Sequence, residues 1–289
     1  MSEPDERAPM SEHRPGSLAS PAAPELAELA RSVAREAADL LLARHSQAAV
    51  VQVKSSPTDV VTQLDRAAEQ LIRDRLLAAR PGDAILGEEG GQTGHGSVRW
   101  IVDPLDGTVN YLYGLPDWAV SIAAEVDGEV VAGVVCVPLQ RSMFTATLGG
   151  GAWLESDWQA GPQRLACNSG IALASALVAT GFSYEAAQRA AQGQVVAALL
   201  PRVRDIRRGG SAATDLCSVA AGRVDAYYEQ GVHEWDVAAG GLIAREAGAI
   251  MGGIAGLPAG EAMTIAADPE LFRALHDVLA SLDAGRMLA

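Results

Sequence analysis

The sequence predicts a layered α/β sandwich, and three features of the chain support this fold class. Two amphipathic helical stretches come first, with apolar residues recurring at spacings of three and four. A run of short strands separated by turn signals follows, which is typical of an antiparallel sheet. The second half of the chain then alternates between strand and helix patterns, as layered α/β proteins do.

The N-terminal part divides into a tail and two helices. Residues 1–23 are rich in Pro, Ser, Glu and Arg and hold almost no large apolar residue, so a disordered tail is expected there. Helical periodicity predicts a first helix over residues 25–45 and a second over residues 56–79. The second helix is expected to start near Thr58 and Asp59, which are typical helix-start residues.

Apolar runs bounded by Gly, Pro and Asp predict the strands of a first sheet. A hairpin is expected to turn at Asp127-Gly128, a dipeptide that suits a tight turn. The Gly-rich stretch 92–97 is predicted to be a loop. In chain order, the predicted strands are residues 84–86, 99–102, 118–126, 130–137, 143–148 and 152–154.

Strands and helices alternate after residue 175, which favours a second, separate layer of sheet. The predicted strands there are residues 176–179, 203–206 and 226–228. The predicted helices are residues 185–200, 211–221, 235–247 and 268–282.

Composition narrows the functional classes. The 289 residues are 49% hydrophobic, which is ample for a buried core. The formal net charge is −14, of which the tail carries −2, so an acidic fold would repel a nucleic acid and no direct binding to one is expected. Such acidity suits the recruitment of divalent cations, although it can also serve solubility alone.

The cellular compartment is predicted from cysteines and from apolar segments. Cys136, Cys167 and Cys217 are widely spaced and odd in number, which indicates free thiols in a reducing cytoplasm. The sequence contains no apolar run long enough to cross a membrane, and its N-terminus lacks the pattern of a secretory signal. A cytoplasmic protein without membrane contact is expected.

The segment W-I-V-D-P-L-D-G-T-V-N at residues 100–110 is the most informative part of the chain. An apolar strand delivers Asp103 at its end, and a turn containing Pro and Gly delivers Asp106 three residues later. Because Mg²⁺ prefers oxygen ligands, two carboxylates on one turn can reach two adjacent ions. The alternative is an ordinary strand-to-turn junction, where Asp, Pro and Gly are common for conformational reasons.

Three further carboxylates occupy strand ends or helix faces. Glu88, in G-E-E-G, ends the preceding strand and would lie beside Asp103 if the two strands are adjacent. Asp65 lies on a predicted helix whose face is otherwise apolar, and its alternative is a surface acid paired with a neighbouring arginine. Asp236 lies where a loop becomes a helix, and its alternative is an N-cap.

The segment R-R-G-G-S-A-A at residues 207–213 predicts an anion site, because backbone N–H groups at a helix start attract negative charge. Its arginines can bind a phosphate, or equally carboxylates at a subunit contact. Crowded carboxylates repel one another unless a cation lies among them. The four acidic clusters together therefore predict two-metal-assisted hydrolysis of a phosphate ester.

The G-E-E-G, W-I-V-D-P-L-D-G-T-V-N and W-D-V-A-A-G segments resemble the signature motifs of the inositol monophosphatase family, in the same order. K-S-S-P-T-D at residues 54–59 and R-G-G-S-A-A at 208–213 are similar as well. The resemblance covers about residues 24–285. It implies an αβαβα five-layer sandwich, usually dimeric, with residues 24–289 as the catalytic domain and two or three Mg²⁺ ions in each active site.

The resemblance also implies a role for individual residues. Those implied for the first metal are Glu88, Asp103 and the carbonyl of Leu105, and those for the second are Asp103, Asp106 and Asp236. Those implied for the attacking water are the catalytic pair Asp65 and Thr108, with Glu89 and Lys54 close by. Those implied for the substrate are Asp106, Gly107, Thr108, Ser183, Gly210, Ser211, Ala212, Glu229 and Asp236.

The implied reaction is the hydrolysis of myo-inositol 1-phosphate and related inositol monophosphates, small phosphorylated polyols. One alternative is the same chemistry on histidinol phosphate, fructose 1,6-bisphosphate or a 3′-phosphonucleotide. A third hypothesis is a non-catalytic partner of the transcription or RNA machinery, as some bacterial relatives are. Two departures from the family pattern stand out: Val109-Asn110-Tyr111 follows Thr108, and Glu234 adds a carboxylate that is expected to change leaving-group preference or metal affinity.

Overall fold

The computed structural model describes residues 22–45, 50–53 and 60–285. The tail predicted over residues 1–23 lies outside them except for Ala22 and Ala23, which begin the first helix. The α-helices within the described residues are α1 Ala22–Arg44, α2 Gln63–Ala79, α3 Thr108–Tyr113, α4 Ala186–Leu199, α5 Ala212–Ala220, α6 Glu234–Glu246 and α7 Pro269–Ser281.

The strands in the described part of the chain form three sheets. In chain order they are β1 Val50–Val53, β2 Val60–Thr62, β3 Ala84–Gly87, β4 Gly91–Thr93, β5 Val98–Asp106, β6 Ala119–Val126, β7 Glu129–Val137, β8 Ser142–Thr147, β9 Gly151–Ser156, β10 Gln163–Arg164, β11 Leu177–Thr180, β12 Asp205–Arg207, β13 Ala226–Glu229, β14 Ile250–Gly252 and β15 Thr264–Ala267. The large sheet has the order β10-β9-β8-β7-β6-β5-β3-β4, and the small sheet has the order β12-β11-β13-β15-β14. Strands β1 and β2 form a two-stranded sheet.

The layers stack as αβαβα, which confirms the five-layer sandwich. Helices α1 and α2 cover one face of the large sheet, α5 and α6 fill the space between the two sheets, and α4 and α7 cover the outer face of the small sheet. Because both faces of each sheet are covered, successive strand residues are buried on opposite sides. Val134 and Val135 of β7 belong to different apolar clusters, and so do Tyr227 and Tyr228 of β13.

Several predicted elements are confirmed with small shifts at their ends. The hairpin of β6 and β7 turns at Asp127 and Gly128, both with positive φ (52° and 82°), as a tight two-residue turn requires. None of the helices in the described part of the chain is long and apolar enough to cross a membrane.

One local prediction is wrong, a second is confirmed only in part, and some short elements were not predicted. Residues 60–62 form a strand that pairs with β1, and α2 begins only at Gln63, because the β-branched run Val60-Val61-Thr62 suits an extended backbone. The loop predicted over residues 92–97 is confirmed for 94–97, whereas Gln92 and Thr93 belong to β4, which pairs with β3. Helix α3 and the short strands β14 and β15 have no clear periodicity in the sequence, since α3 is only six residues long and loops rich in Gly and Pro flank the two strands.

Candidate functional site

Asp103 and Asp106 face the same site because β5 contains a bulge. Residues three apart in a regular strand point to opposite faces. In the β5–β6 ladder, Asp103 pairs with Ser121 and Asp106 with Ala119, so three steps along β5 match two along β6. The extra residue restores the common direction of the two carboxylates. Ligand atoms of Asp103, Asp106 and Asp236 consequently lie within 4.8 Å of one another.

Glu88 lies beside Asp103 because β3 and β5 are parallel neighbours in the sheet. The N–H of Glu88 donates to the carbonyl of Val102, 3.3 Å away, so Glu88, which follows β3, lies next to Asp103 of β5. Asp65, Glu88 and Glu89 form a second group of carboxylates, whose ligand atoms lie within 4.8 Å of one another. The two groups together form an acidic centre at this edge of the large sheet.

The start of α5 holds Asp106 in place. Ser211 is the N-cap of α5, and its hydroxyl donates to Asp106 Oδ2 over 2.6 Å. The N–H of Ala213 donates to the same oxygen over 2.7 Å. The sequence predicts an anion site at this helix start, and one anionic group that it binds is the carboxylate of Asp106. Ser211 is only 2% exposed, so it supports Asp106 from behind the site.

Asp236 lies in the first turn of α6, and the N-cap of that helix is His233. The N–H of His233 donates to Asp236 Oδ2 over 2.6 Å, one half of a capping box. This contact sets the rotamer that brings Asp236 to Asp103 and Asp106. Because α6 lies between the two sheets, it joins the second half of the chain to a centre built by the first half.

Thr108 follows the acidic turn and contacts a buried carboxylate. Its hydroxyl lies 3.3 Å from Asp65 Oδ2 and 3.1 Å from the carbonyl oxygen of Leu105. Asp65 has no solvent exposure, which rules out the alternative of a surface acid. Gly107 permits the turn, because its φ is +91° and a Cβ there would lie 2.8 Å from the carbonyl oxygen of Asp117.

Burial and crowding make these carboxylates hard to ionise without a cation. Burial, followed by the charge of Glu88, raises the pKa of Asp103 well above its usual range. Burial raises the pKa of Asp106 to about 6 despite the hydrogen bond from Ser211. Burial and the charge of Asp106 likewise raise the pKa of Asp236. A bound cation would reverse this penalty, since opposite charge favours the ionised form.

A cavity of about 470 Å³ opens onto the acidic centre. The residues of the predicted site that line it are Glu88, Glu89, Asp103, Leu105, Asp106, Gly107, Thr108, Ser183, Gly210, Ala212, Glu229 and Asp236. Glu229 is held by the hydroxyl of Tyr227, which donates to its Oε2 over 2.9 Å. Burial raises the pKa of Glu229 to about 7.

The sequence predicts three basic residues near the site, and only one of the two that the structure describes lines the cavity. Arg208 lines the cavity. Arg207 is exposed and donates to Asp205 over 2.6 Å, so it faces away. Lys54, predicted beside the attacking water, lies outside the described residues, as do Thr58 and Asp59.

Other cavity residues carry no signal in the sequence. Tyr184 and Glu185 come from the loop before α4, and Glu261 comes from the loop between β14 and β15. These loops are far apart in sequence, and only the packing of the small sheet brings them to one opening. Glu69, which accepts a hydrogen bond from the Glu88–Glu89 loop, carries no signal in the sequence for the same reason.

Glu234 faces away from the cavity, which removes the reason to expect an effect on metal affinity. Arg99 donates to Glu234. It also donates to both carboxylate oxygens of Glu125, over 3.0 Å and 2.7 Å. Glu234→Gln should therefore leave kcat/KM within about threefold of wild type. It should cost at most about 1 kcal/mol of stability, because this pair is partly exposed. Steady-state kinetics and denaturant unfolding would check both values, and a tenfold change in kcat/KM would contradict the assignment.

The raised pKa values predict how the metal-free chain responds to pH. Asp106 and Glu229 have folded pKa values of about 6 and about 7, above the unfolded values of about 4. Between these limits the folded state binds more protons, so stability is greatest at low pH and falls as pH rises through the folded pKa values. The melting temperature in EDTA should therefore fall by roughly 5 °C or more between pH 5 and pH 8.

Adding Mg²⁺ at pH 8 should recover much of that loss, because cations bind the ionised carboxylates. Thermal unfolding followed by circular dichroism, with and without Mg²⁺, measures both effects. A melting temperature in EDTA that stays level or rises over this window would contradict the pKa assignment.

Comparison with known proteins places this geometry in a family. The model of the inositol monophosphatase family matches residues 23–282. The inositol-1-monophosphatase of Mycobacterium leprae is 48% identical over 237 residues, 76% of this chain and 81% of that protein. A protein named Nus factor SuhB from Escherichia coli K12 is 39% identical over 233 residues, 79% of this chain and 85% of that protein.

Solved structures show the same likeness. Mycobacterium tuberculosis SuhB matches with a TM-score of 0.77 and 43% sequence identity, and the match covers 91% of this chain and 98% of that one.

Proposed function

Because the chain belongs to the inositol monophosphatase family, we propose that it is a Mg²⁺-dependent phosphomonoesterase that acts on inositol monophosphates. The observation that carries the proposal is the convergence of two carboxylate groups, one of Asp65, Glu88 and Glu89 and one of Asp103, Asp106 and Asp236. Five of these residues line one cavity, and Asp65 is fully buried. Phosphatase chemistry needs positive charge beside the phosphate, and this centre attracts it.

The residues of the centre fit magnesium. Glu88, Asp103, Asp106 and Asp236 offer carboxylate oxygens, and the carbonyl of Leu105 offers another, which are the hard donors that Mg²⁺ prefers. These carboxylates are also buried together, with raised pKa values that a cation would lower again. When bound, Mg²⁺ would polarise the phosphate and lower the pKa of a water molecule.

The protein's own groups would receive the proton of that water. Thr108 can donate to Asp65 over the 3.3 Å that separates their oxygens, while its own oxygen accepts from the attacking water. Asp65 is buried and fixed on α2, so it can hold the hydroxyl in one orientation. General-base assistance of this kind contributes typically about 10²–10⁴ in rate.

The leaving polyol would lie toward the small sheet. Glu229 can accept hydrogen bonds from its hydroxyls, and the Tyr227 hydroxyl fixes that carboxylate. The loop that carries Ser183 is tied to α4, because its N–H donates to Gln192 over 2.9 Å. These contacts favour a polyhydroxylated leaving group over an apolar one.

The homodimer that the resemblance implies remains a prediction.

The charge of the cavity wall predicts which phosphate esters are preferred. Beyond the metal centre, Glu185, Glu229 and Glu261 line the cavity, and Arg208 is the only arginine or lysine among its lining residues in the described chain. A second phosphate would meet these carboxylates, and like charges in contact cost several kcal/mol. We expect kcat/KM for inositol 1-phosphate to exceed that for fructose 1,6-bisphosphate by about a hundredfold or more, a difference of ~2.7 kcal/mol.

Phosphate release from a substrate panel with Mg²⁺ tests this order. The panel contains inositol 1-phosphate, histidinol phosphate, fructose 1,6-bisphosphate and a 3′-phosphonucleotide. Histidinol phosphate carries an ammonium group that the same carboxylates can accept, so it is the strongest competitor among the alternatives. A preference for the bisphosphate would contradict the interpretation of the wall charges.

A second role is suggested by the relatives named Nus factor SuhB, such as the Escherichia coli protein at 39% identity. We infer that a transcription-related partner would bind outside the acidic cavity, since the net charge of −14 opposes direct contact with RNA inside it. An Asp103→Asn chain should then retain partner binding in a pull-down with transcription factors while it loses phosphatase activity. Loss of partner binding together with phosphatase activity would indicate that the partner binds at the cavity.

A further inference from the structure

Glu69 is a buried carboxylate that contacts the loop of the metal ligands. It lies on α2, one helical turn after Asp65, and is only 3% exposed. Its Oε2 accepts a hydrogen bond from the N–H of Glu89 over 2.7 Å, and its Oε1 accepts one from the N–H of Gly90 over 2.9 Å. We propose that Glu69 is a positioning residue that sets the metal affinity of the site by fixing the Glu88–Glu89 loop. This inference rests on the proposed function.

The glycines of G-E-E-G are shaped around this carboxylate. A Cβ on Gly87 would lie 2.5 Å from Glu69 Oε1, and a Cβ on Gly90 would lie 2.7 Å from the same atom. Neither glycine has a positive φ, so backbone strain does not explain them. The motif therefore combines two carboxylates for the metal with two glycines that admit Glu69.

Arg73 completes the arrangement on the outer side of the loop. It donates to Glu69 Oε1 over 2.7 Å and to the carbonyl of Gly91 over 2.6 Å. It also donates to the hydroxyl of Thr93 in β4 over 2.9 Å. The loop between β3 and β4 is thus bound to α2 at successive points, and the guanidinium balances the charge that Glu69 would otherwise add near the acidic centre.

Helix α2 consequently carries one residue proposed to activate the water and one proposed to position the metal ligands. Asp65 faces the Thr108 hydroxyl, and Glu69 holds the loop that carries Glu88 and Glu89. Groups that orient metal ligands from behind typically change metal affinity or activity by about 10–100-fold when removed. Loss of Glu69 should therefore appear as weaker Mg²⁺ binding before it appears as slower chemistry at saturating Mg²⁺.

The test is isothermal titration of the metal-free full chain with Mg²⁺, together with the Mg²⁺ dependence of phosphate release. Glu69→Gln keeps the shape of the side chain but presents an amide NH₂ to a backbone N–H, so one donor of the loop loses its acceptor. We expect the Mg²⁺ dissociation constant and the half-saturating Mg²⁺ concentration to rise about 10–100-fold, with kcat at saturating Mg²⁺ falling less than about fivefold. The control is Glu36→Gln. Glu36 lies on α1 and is the exposed partner of Arg75, which lies on α2 like Glu69, so this variant should change neither value.

Gly87→Ala provides an independent variant, because its methyl group would displace the Glu69 carboxylate while leaving Glu69 itself intact. It should weaken Mg²⁺ binding in the same way, whereas Gly82→Ala, with no atom within 4 Å of the added carbon, should not. If Glu69→Gln does not unfold cooperatively, this pair decides the question.

Mg²⁺ binding by Glu69→Gln and Gly87→Ala within twofold of wild type would overturn the role of Glu69 and leave the proposed function standing. A fall in kcat of the same size in Glu69→Gln and Gly87→Ala, with an unchanged half-saturating Mg²⁺ concentration, would also overturn the role of Glu69. Absence of Mg²⁺ binding by the wild type would overturn both together.

Discussion

Replacing Asp103 with asparagine is expected to lower kcat/KM for a phosphomonoester by about a thousandfold or more, ~4 kcal/mol of transition-state stabilisation. Asp103 lies in the buried part of β5, next to Glu88 on one side and to Asp106 and Asp236 on the other. The loss of one carboxylate oxygen at this junction would weaken both proposed metal positions. Initial rates of phosphate release at saturating Mg²⁺ measure the effect.

Asp127→Asn is the matched control, because Asp127 lies in the exposed β6–β7 turn with a positive φ that asparagine tolerates. It should keep wild-type activity. Asp103→Asn should also raise the melting temperature of the metal-free chain at pH 8, because asparagine avoids the cost of ionising a carboxylate in a crowded buried cluster. An Asp103→Asn protein with more than a tenth of wild-type activity would show that the acidic centre is misassigned.

Thr108→Val is expected to lower kcat by roughly a hundredfold to a thousandfold with little change in KM. Valine keeps the shape of the side chain but removes the hydroxyl that lies 3.3 Å from Asp65 and 3.1 Å from the Leu105 carbonyl. The attacking water would then lose its route for proton transfer to Asp65. Steady-state kinetics with inositol 1-phosphate separate the effects on kcat and KM.

Thr108→Ser supplies the comparison, since it restores the hydroxyl without the methyl group. Its kcat should stay within about tenfold of wild type, because the hydrogen bond to Asp65 can still form. Equal losses in the serine and valine variants would assign Thr108 to packing and remove it from the proton-transfer step.

Much of the fold was predictable because its strands and helices carry clear periodic patterns. The run from residue 118 to residue 137 predicts the hairpin of β6 and β7, and Asp127-Gly128 fixes its turn. Strand β2 was not predictable, because it is only three residues long and continues directly into α2. Its extended conformation depends on pairing with β1, which sequence periodicity does not report.

The acidic residues of the site were predictable from their places at strand ends and a helix start, but their common direction was not. The odd spacing of Asp103 and Asp106 would point them apart in a regular strand, and the bulge opposite Ser121 and Ala119 is visible only in the ladder. The contact of Ser211 with Asp106 was also hidden, because it joins residues 105 positions apart. Glu69 resembles an ordinary helix-surface acid until the loop of Glu88 is placed against it.

Phosphate release from inositol 1-phosphate by the purified full chain, first in EDTA and then with Mg²⁺ in excess over the EDTA, tests the metal-dependent phosphatase activity most directly. We expect no measurable turnover in EDTA and robust turnover once Mg²⁺ is added. Turnover that is equally fast in EDTA would contradict the metal-dependent mechanism. Absence of turnover with Mg²⁺ on every phosphomonoester of the panel would contradict the proposed activity itself.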